Sequence, residues 1–286
     1  MKELNEKLEK LENITKPKIG IVGTTSWGTA LSIIIARNHE NVTLFSRSIA
    51  EANQLNEKRI NSKLGESIKI SENIIISNIN NKINKLDLII IAVPSQSFRK
   101  NILQIKNYLN PKTLIVSATK GLERNTCKRM SEILEEELDS SISKKICALS
   151  GPNLALEVVT QKHSSTVLAS KNISTAIQVQ QILNSKEFRA YTNSDIIGVE
   201  LGGALKNIIA LGAGICDGLK VGDNAKAAFI TRGLKEITRL AISAGANPET
   251  LSGLSGLGDL IATSSSTLSR NHSVGEKLAQ GIDIQT

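Results

Sequence analysis

Residues 198–207 read Gly-Val-Glu-Leu-Gly-Gly-Ala-Leu-Lys-Asn and set a lysine inside an otherwise apolar run. Between Ile196 and Cys216 only Glu200, Lys206 and Asn207 carry strongly polar side chains. Taking an ammonium into such surroundings is costly unless it has a partner or a use. Burial disfavours the charged form and lowers the pKa, which suits Lys206 to proton transfer near neutral pH. Alone, the same lysine reads equally as one whose stem lies along the core and whose head reaches solvent.

A second element of chemistry lies near the start of the chain. Gly23-Thr24-Thr25-Ser26-Trp27-Gly28 follows an apolar strand and opens a helix, the context of a dinucleotide fingerprint. Gly23 permits the tight turn, and Gly28 lets helix and strand pack closely. The helix N-terminus then offers unpaired N–H groups to a pyrophosphate. Thr25 stands where the middle glycine is usual, so its Cβ is expected to hold a pyrophosphate off the backbone. The next strand ends Phe45-Ser46-Arg47-Ser48, 19 residues beyond Gly28. NAD sites usually place an acid here, whereas an arginine accommodates a 2′-phosphate. With no acid in that stretch, Arg47 points to NADP(H) as the preferred cofactor, with NAD(H) still usable.

The elements that must position these residues follow from the pattern of apolar runs. Strands are expected over 18–22, 41–45, 74–77, 88–93, 113–117, 145–149, 165–169 and 188–191. Helices are expected over 29–36, 97–108, 125–138 and 172–183. Strand and helix alternate, which predicts an α/β, Rossmann-like, doubly wound and mostly parallel sheet. After Asp195 the strand pattern stops and the rest reads as helix and Gly/Ser loop, an all-helical C-terminal domain. The expected division is an N-terminal helical extension over 1–16, a dinucleotide-binding domain over 17–195 and a helical substrate domain over 196–286. Residues 1–16 place Leu4, Leu8, Leu11 and Ile14 at helical spacing.

Composition narrows the function. The 286 residues carry a net charge of +8, but the lysines are scattered and aromatics make up only 2%. Base-stacking platforms and basic runs are therefore missing, which argues against nucleic acid and for an anionic small molecule. The three cysteines are widely spaced and odd in number, so a reducing, cytoplasmic setting is expected. The 196–216 stretch is long enough to span a bilayer, but a central lysine, a glutamate and five glycines argue for a buried helix of a soluble domain. His39, His163 and His272 fall in expected turns and loops, without partners at metal or triad spacing.

Three further segments complete a pattern. They are Ser117-Ala118-Thr119-Lys120-Gly121-Leu122-Glu123, Ser150-Gly151-Pro152-Asn153, and Gly256-Leu257-Gly258-Asp259-Leu260 with Leu268-Ser269-Arg270-Asn271-His272. With the fingerprint and the Gly-Gly-Ala-Leu-Lys-Asn run, in this order and spacing, the chain resembles the bacterial-type NAD(P)-dependent glycerol-3-phosphate dehydrogenases from about residue 18 to 280. The resemblance implies an enzyme interconverting dihydroxyacetone phosphate and sn-glycerol 3-phosphate for phospholipid synthesis. It implies that Ser26 and Trp27 meet the cofactor phosphates, Arg47 a 2′-phosphate, and Ala155 a further part of the cofactor. Lys120 would lie between substrate and nicotinamide, and Gly151 and Asn153 would touch substrate. Lys206 would carry the proton, with Asp259 as its acidic partner. Ser269, Arg270 and Asn271 would clamp the substrate's phosphate end, Arg270 also lying near cofactor. It further implies several more helices after the last one here, with a glutamate near the adenine end of the cofactor. Asn153 departs from the family's usual hydroxyl residue at that position.

That set is chemically coherent. Reduction of a ketone phosphate needs a hydride, a proton for the developing alkoxide and a clamp for a dianion. Arg270 offers a planar fork for phosphate, Lys120 and Lys206 bring positive charge to the carbonyl, and Asp259 can orient Lys206. Two other readings stay open: a related two-domain hydroxyacid dehydrogenase or ketopantoate reductase, and a chain that binds nucleotide without turnover. A homo-oligomer is compatible with either.

Overall fold

The computed structural model describes residues 16–283, so all of the expected N-terminal helix except Lys16 lies outside the described residues. Eight strands are present: β1 (Ile19–Val22), β2 (Val42–Ser46), β3 (Ile74–Asn78), β4 (Leu88–Ile91), β5 (Leu114–Ser117), β6 (Ile146–Ser150), β7 (Ser164–Ala169) and β8 (Phe188–Asn193). They form one sheet in the order β3-β2-β1-β4-β5-β6-β7-β8. Each begins and ends within two residues of the expected span. Their legibility has a simple cause. Strands such as Leu-Ile-Ile-Ile of β4 are buried on both faces, so they read as unbroken apolar runs. Ile19, Ile21, Leu88 and Ile90 enter the core on one face of the sheet. Val22, Ile89 and Ile91 enter the core on the other.

The sheet is parallel except between β6 and β7, where Ser150 pairs with Val167. Two helices near the cofactor end matter most here: α1 (Ser26–Ile35) after β1 and α2 (Ile49–Lys58) after β2. Sequence patterning did not reveal α2, because only Ala52 and Leu55 of it are buried and its apolar period is faint. Three further helices, α3 (Phe98–Ile105), α4 (Met130–Glu137) and α5 (Ser140–Ser143), follow β4 and β5. A short α6 (Ala155–Val159) precedes β7, and α7 (Ile173–Leu183) carries the chain to β8.

Past β8 the chain is helical: α8 (Ile196–Gly218), α9 (Asp223–Ser243), α10 (Pro248–Ser252), α11 (Asp259–Ser265) and α12 (Arg270–Ala279). A π-type turn over Leu254–Gly258 leads into α11. The side chain of Asp195 caps α8 by accepting from the Gly198 amide at 2.8 Å. Among the described residues α8 is the one helix long and apolar enough to cross a membrane by length and composition. It is not buried all round, since Ile208 is 66% exposed while Lys206 is 6% exposed. It bears two buried charged side chains, Glu200 and Lys206. Glu200 accepts from the Ser131 amide at 2.8 Å and from Arg129 Nη1 at 2.9 Å, tying α8 to the start of α4. Burial pushes the Glu200 carboxyl upward against the opposing pull of Ser131 and Arg129.

Helices α8 and α12 approach at backbone distance. A Cβ added at Gly275 would collide with the Leu211 carbonyl, and one at Gly214 with the His272 carbonyl. Neither obstacle is a side-chain end that can swing away. Gly275→Ala should therefore destabilise the protein by about 1–3 kcal/mol through overpacking, read as a lowered melting temperature with the sheet-side signal of Trp27 fluorescence as control. An unchanged melt would show that the helices separate at no cost.

Candidate active site

The cofactor end forms where the strand order reverses. β1 lies between β2 and β4, so the carboxyl ends of β1 and β4 border the crevice in which such sheets bind ligands. Gly23 has a φ of +115°, and a Cβ there would strike the Ala92 carbonyl. Gly28 lies so near Gly23 O that only hydrogen fits between them. Thr25, in the place of the middle glycine, also has a structural role. Its hydroxyl donates to Ala92 O at 2.7 Å and accepts from the Gly28 amide at 3.0 Å, making it the N-cap of α1. The Ser26 and Trp27 amides, in the first turn of α1, have no intrahelical acceptor and remain for an anion. The turn therefore fits a pyrophosphate, with one amide fewer on offer than a glycine would leave.

Ser26 Oγ donates to the Lys63 carbonyl in a short hydrogen bond. Trp27 is half-buried, its ring 6.4 Å from that of Phe188 and tilted by 55°. Ala155 opens α6 and packs against the same core. Arg47 lies just beyond β2 with its side chain 82% exposed. The expectation that no acid accompanies Arg47 is corrected. Glu51, one turn into α2, places Oε2 3.4 Å from Arg47 Nε.

The chemical centre draws on distant segments. Lys120 sits in the loop after β5, half-buried. Thr119 Oγ1 donates to Val93 O at 2.9 Å, and Arg99 grips Glu123 with two hydrogen bonds of 2.8 Å, so the loop is anchored on both sides of Lys120. Lys120 Nζ donates to Gly151 O at 3.0 Å and to Asp259 Oδ2 at 2.5 Å. Lys206 Nζ donates to the other oxygen, Asp259 Oδ1, and to Thr263 Oγ1 at 2.5 Å. Asp259 is 1% exposed. Burial, and then the charge of Lys120, pull the Lys206 ammonium down to about 7 against the opposing effect of Asp259. The buried centre thus holds two amines on one carboxylate, and one amine can take or release a proton near neutrality.

The two glycines one turn before Lys206 face other parts of the protein. A Cβ at Gly202 would meet the Ser255 carbonyl, and one at Gly203 would meet Ser150 Oγ. They let α8 press against β6 and the π-type turn. Asn153 Nδ2 donates to Ser165 O at 3.0 Å, while its buried Oδ1 has no hydrogen bond. Ser269 is the N-cap of α12, accepting from the His272 amide, and Arg270 is exposed on the first turn with Asn271 partly covered beside it. Among the described residues no hydrogen bond or ion pair joins these three to Lys120, Lys206 or Asp259. His272 is corrected too. It lies in a helix, is buried, and its Nε2 is 2.7 Å from Asp217 Oδ2. Thr263 was missed, although it follows Asp259 by four residues and so shares its helix face.

Crevice, helix N-terminus and buried amine pair define a two-domain nicotinamide-dependent oxidoreductase. Residues 18–176 match the family model for the N-terminal part of NAD-dependent glycerol-3-phosphate dehydrogenase, and residues 195–286 that for its C-terminal part. The chain belongs to the NAD-dependent glycerol-3-phosphate dehydrogenase family. It is 50% identical to glycerol-3-phosphate dehydrogenase [NAD(P)+] of Dehalococcoides mccartyi over 92% of this chain and 74% of the relative. It is 43% identical to the enzyme of the same name from Halalkalibacterium halodurans, over 92% and 76%. The crystal structure of glycerol-3-phosphate dehydrogenase from Coxiella burnetii superposes with a TM-score of 0.88 at 37% identity, covering 94% of this chain and 82% of that one.

Asp259→Asn would remove the counter-charge that the Lys120 and Lys206 amines share. The Lys206 amine should then titrate below 7, read by NMR of 15N-labelled lysine, because the influence opposing burial is gone. Stability should fall by about 3–5 kcal/mol, as for other broken buried pairs. A Lys206 titration that stays in place would mean that Asp259 does not control it.

Proposed function

We propose that this chain interconverts dihydroxyacetone phosphate and sn-glycerol 3-phosphate with NAD(P)H, supplying glycerol 3-phosphate for phospholipid synthesis. The observation that carries the reading is the buried Lys120–Asp259–Lys206 contact in a chain of this family. Residues 17–195 would bind the cofactor and residues 196–286 complete the substrate end. Gly23, Ser26, Trp27 and Gly28 would hold the pyrophosphate, Arg47 a 2′-phosphate and Ala155 a further part of the cofactor. When bound, the reduced nicotinamide supplies the hydride.

The protein's groups do the rest. Lys206 Nζ holds a proton and passes it to the carbonyl oxygen as negative charge develops there. Lys120 Nζ adds positive charge beside it, and Asp259 keeps both amines aimed. Gly151 and Asn153 flank the reacting carbon, with the free Asn153 Oδ1 as an acceptor for a substrate hydroxyl. Ser269, Arg270 and Asn271 would close on the substrate phosphate, Arg270 by its planar fork. We place the enzyme in the cytoplasm. A homo-oligomer is supported by the exposed apolar side chains Ile208 and Leu240 of the helical part, and sedimentation of a monomer would exclude it.

The reading is tested by NADPH oxidation with dihydroxyacetone phosphate beside a panel of 2-keto acids. Turnover of a keto acid alone would replace it with a hydroxyacid dehydrogenase. Lys206→Met keeps the stem and removes the acid, so turnover should fall by about 10²–10⁴-fold while the fold survives. The pH profile has a definite sign. Ketone reduction needs Lys206 protonated, so its rate should decline as pH rises through about 7. Alcohol oxidation needs the neutral amine, so its rate should climb over the same interval. Parallel profiles in both directions would remove Lys206 from the proton transfer.

A further inference from the structure

The segment following α2 folds back over the dinucleotide turn, and nothing in its composition announces this. Asn61 Nδ2 donates to Thr24 O at 3.0 Å and to Thr29 Oγ1 at 2.7 Å, and Leu64 is buried beside it. The Lys63 backbone is fixed in turn by its own amide on Asn61 Oδ1 at 3.2 Å and by Ser26 Oγ on its carbonyl. Lys63 is therefore held at the first residue of α1, whereas an ordinary surface lysine has no fixed neighbour. Its Nζ stands 3.4 Å from Thr24 O and 3.3 Å from Glu51 Oε1.

Glu51 is the other half of this arrangement. Its Oε1 accepts from Thr24 Oγ1 at 2.8 Å, and its Oε2 faces Arg47 Nε at 3.4 Å without a hydrogen bond. One mostly buried carboxylate thus lies between two cations that are both half-exposed or more. Burial raises the Glu51 pKa, but Thr24, Lys63 and Arg47 outweigh it and hold the carboxyl below the usual range. The group is charged at neutral pH. The cluster sits at the end of β2, where folds of this class read the ribose 2′ position.

We propose that Lys63 and Glu51 set the choice between the two nicotinamide cofactors: Lys63 joins Arg47 in binding a 2′-phosphate, and Glu51 opposes that phosphate. Without phosphate, Glu51 offsets one of the two positive charges and holds both cations over the turn. A 2′-phosphate competes with Glu51 for Lys63 and Arg47 and meets its negative charge. A ribose with a free 2′-hydroxyl leaves those ion pairs intact. The arrangement tolerates both cofactors and lets neither charge dominate. This inference rests on the reading that the chain binds NAD(P)H at this turn.

The test is titration of Trp27 fluorescence, the chain's single tryptophan, with NADPH and with NADH. Turnover is not needed. Lys63→Met should weaken NADPH binding by about tenfold, as the loss of one charge-assisted contact, and leave NADH within about twofold. Glu51→Gln keeps a partner for Thr24 but removes the charge, so NADPH should bind several-fold tighter relative to NADH. Equal weakening of both cofactors by Lys63→Met would overturn the proposal and assign Lys63 to the turn's shape or to the pyrophosphate. An unmoved NADPH-to-NADH ratio in Glu51→Gln would overturn the role of Glu51. If the wild-type chain binds neither cofactor, the reading of the turn itself falls and the proposal with it. Thermal melts of both variants verify that each is folded when titrated.

Discussion

Two ammonium groups share one buried carboxylate, and the placement of the site's other parts depends on that contact. Lys120 arrives from the loop that follows β5, whereas Lys206 and Asp259 arrive from α8 and α11. Neither part of the chain can assemble the centre alone. Removing three charged groups from water is costly, and the cost is recovered only if every donor and lone pair finds a partner. Gly151 O accepts a second proton from Lys120, and Thr263 Oγ1 a second from Lys206. With Lys206 protonated, the centre carries one more positive than negative charge. A carbonyl oxygen that becomes an alkoxide there meets a field already arranged for it.

Helix α8 shows how packing serves this electrostatics. It carries two buried charges, Glu200 and Lys206, on different sides of its circumference. Glu200 is neutralised from α4, and Lys206 from α11. Each pair restricts rotation of the helix about its axis, and together they leave one setting. Gly202 and Gly203 then let the helix approach Ser255 and Ser150 at that setting. A bulkier residue at either position would push Lys206 away from Asp259. The lysine's low pKa thus follows from tight packing as much as from the identity of its neighbours.

The sheet was legible because its central strands are buried on both faces, and unbroken apolar runs reveal that. Helix α2 was not legible, since two buried residues leave almost no periodic signal. Thr25 illustrates a subtler limit. Its Cβ was read only for its bulk, yet its hydroxyl caps α1, donating to Ala92 O and accepting from the Gly28 amide. Residue type gave the volume, and only the backbone gave its direction. Similarly, His272 looked like a loop residue, because the capping role of Ser269 that starts α12 was not recognised.

The chemical centre marks the firmest boundary of what a sequence reveals. Asp259 lies 139 residues from Lys120 and 53 from Lys206, so no local pattern connects them. Each motif, taken singly, reads equally well as a cap, a surface charge or a snorkelling lysine. Their order and spacing along the chain connected them, through likeness to a family. Where that likeness says nothing, as for Glu51 and Lys63, composition alone could not have paired them. Glu51 meets Thr24 and Arg47 from the first turn of α2, and Lys63 reaches Ser26 and Glu51 only after the segment beyond α2 folds back. The absence of an acid beside Arg47 in the sequence was true of the neighbouring residues and false of the space around the arginine. A helical turn is enough to separate the two.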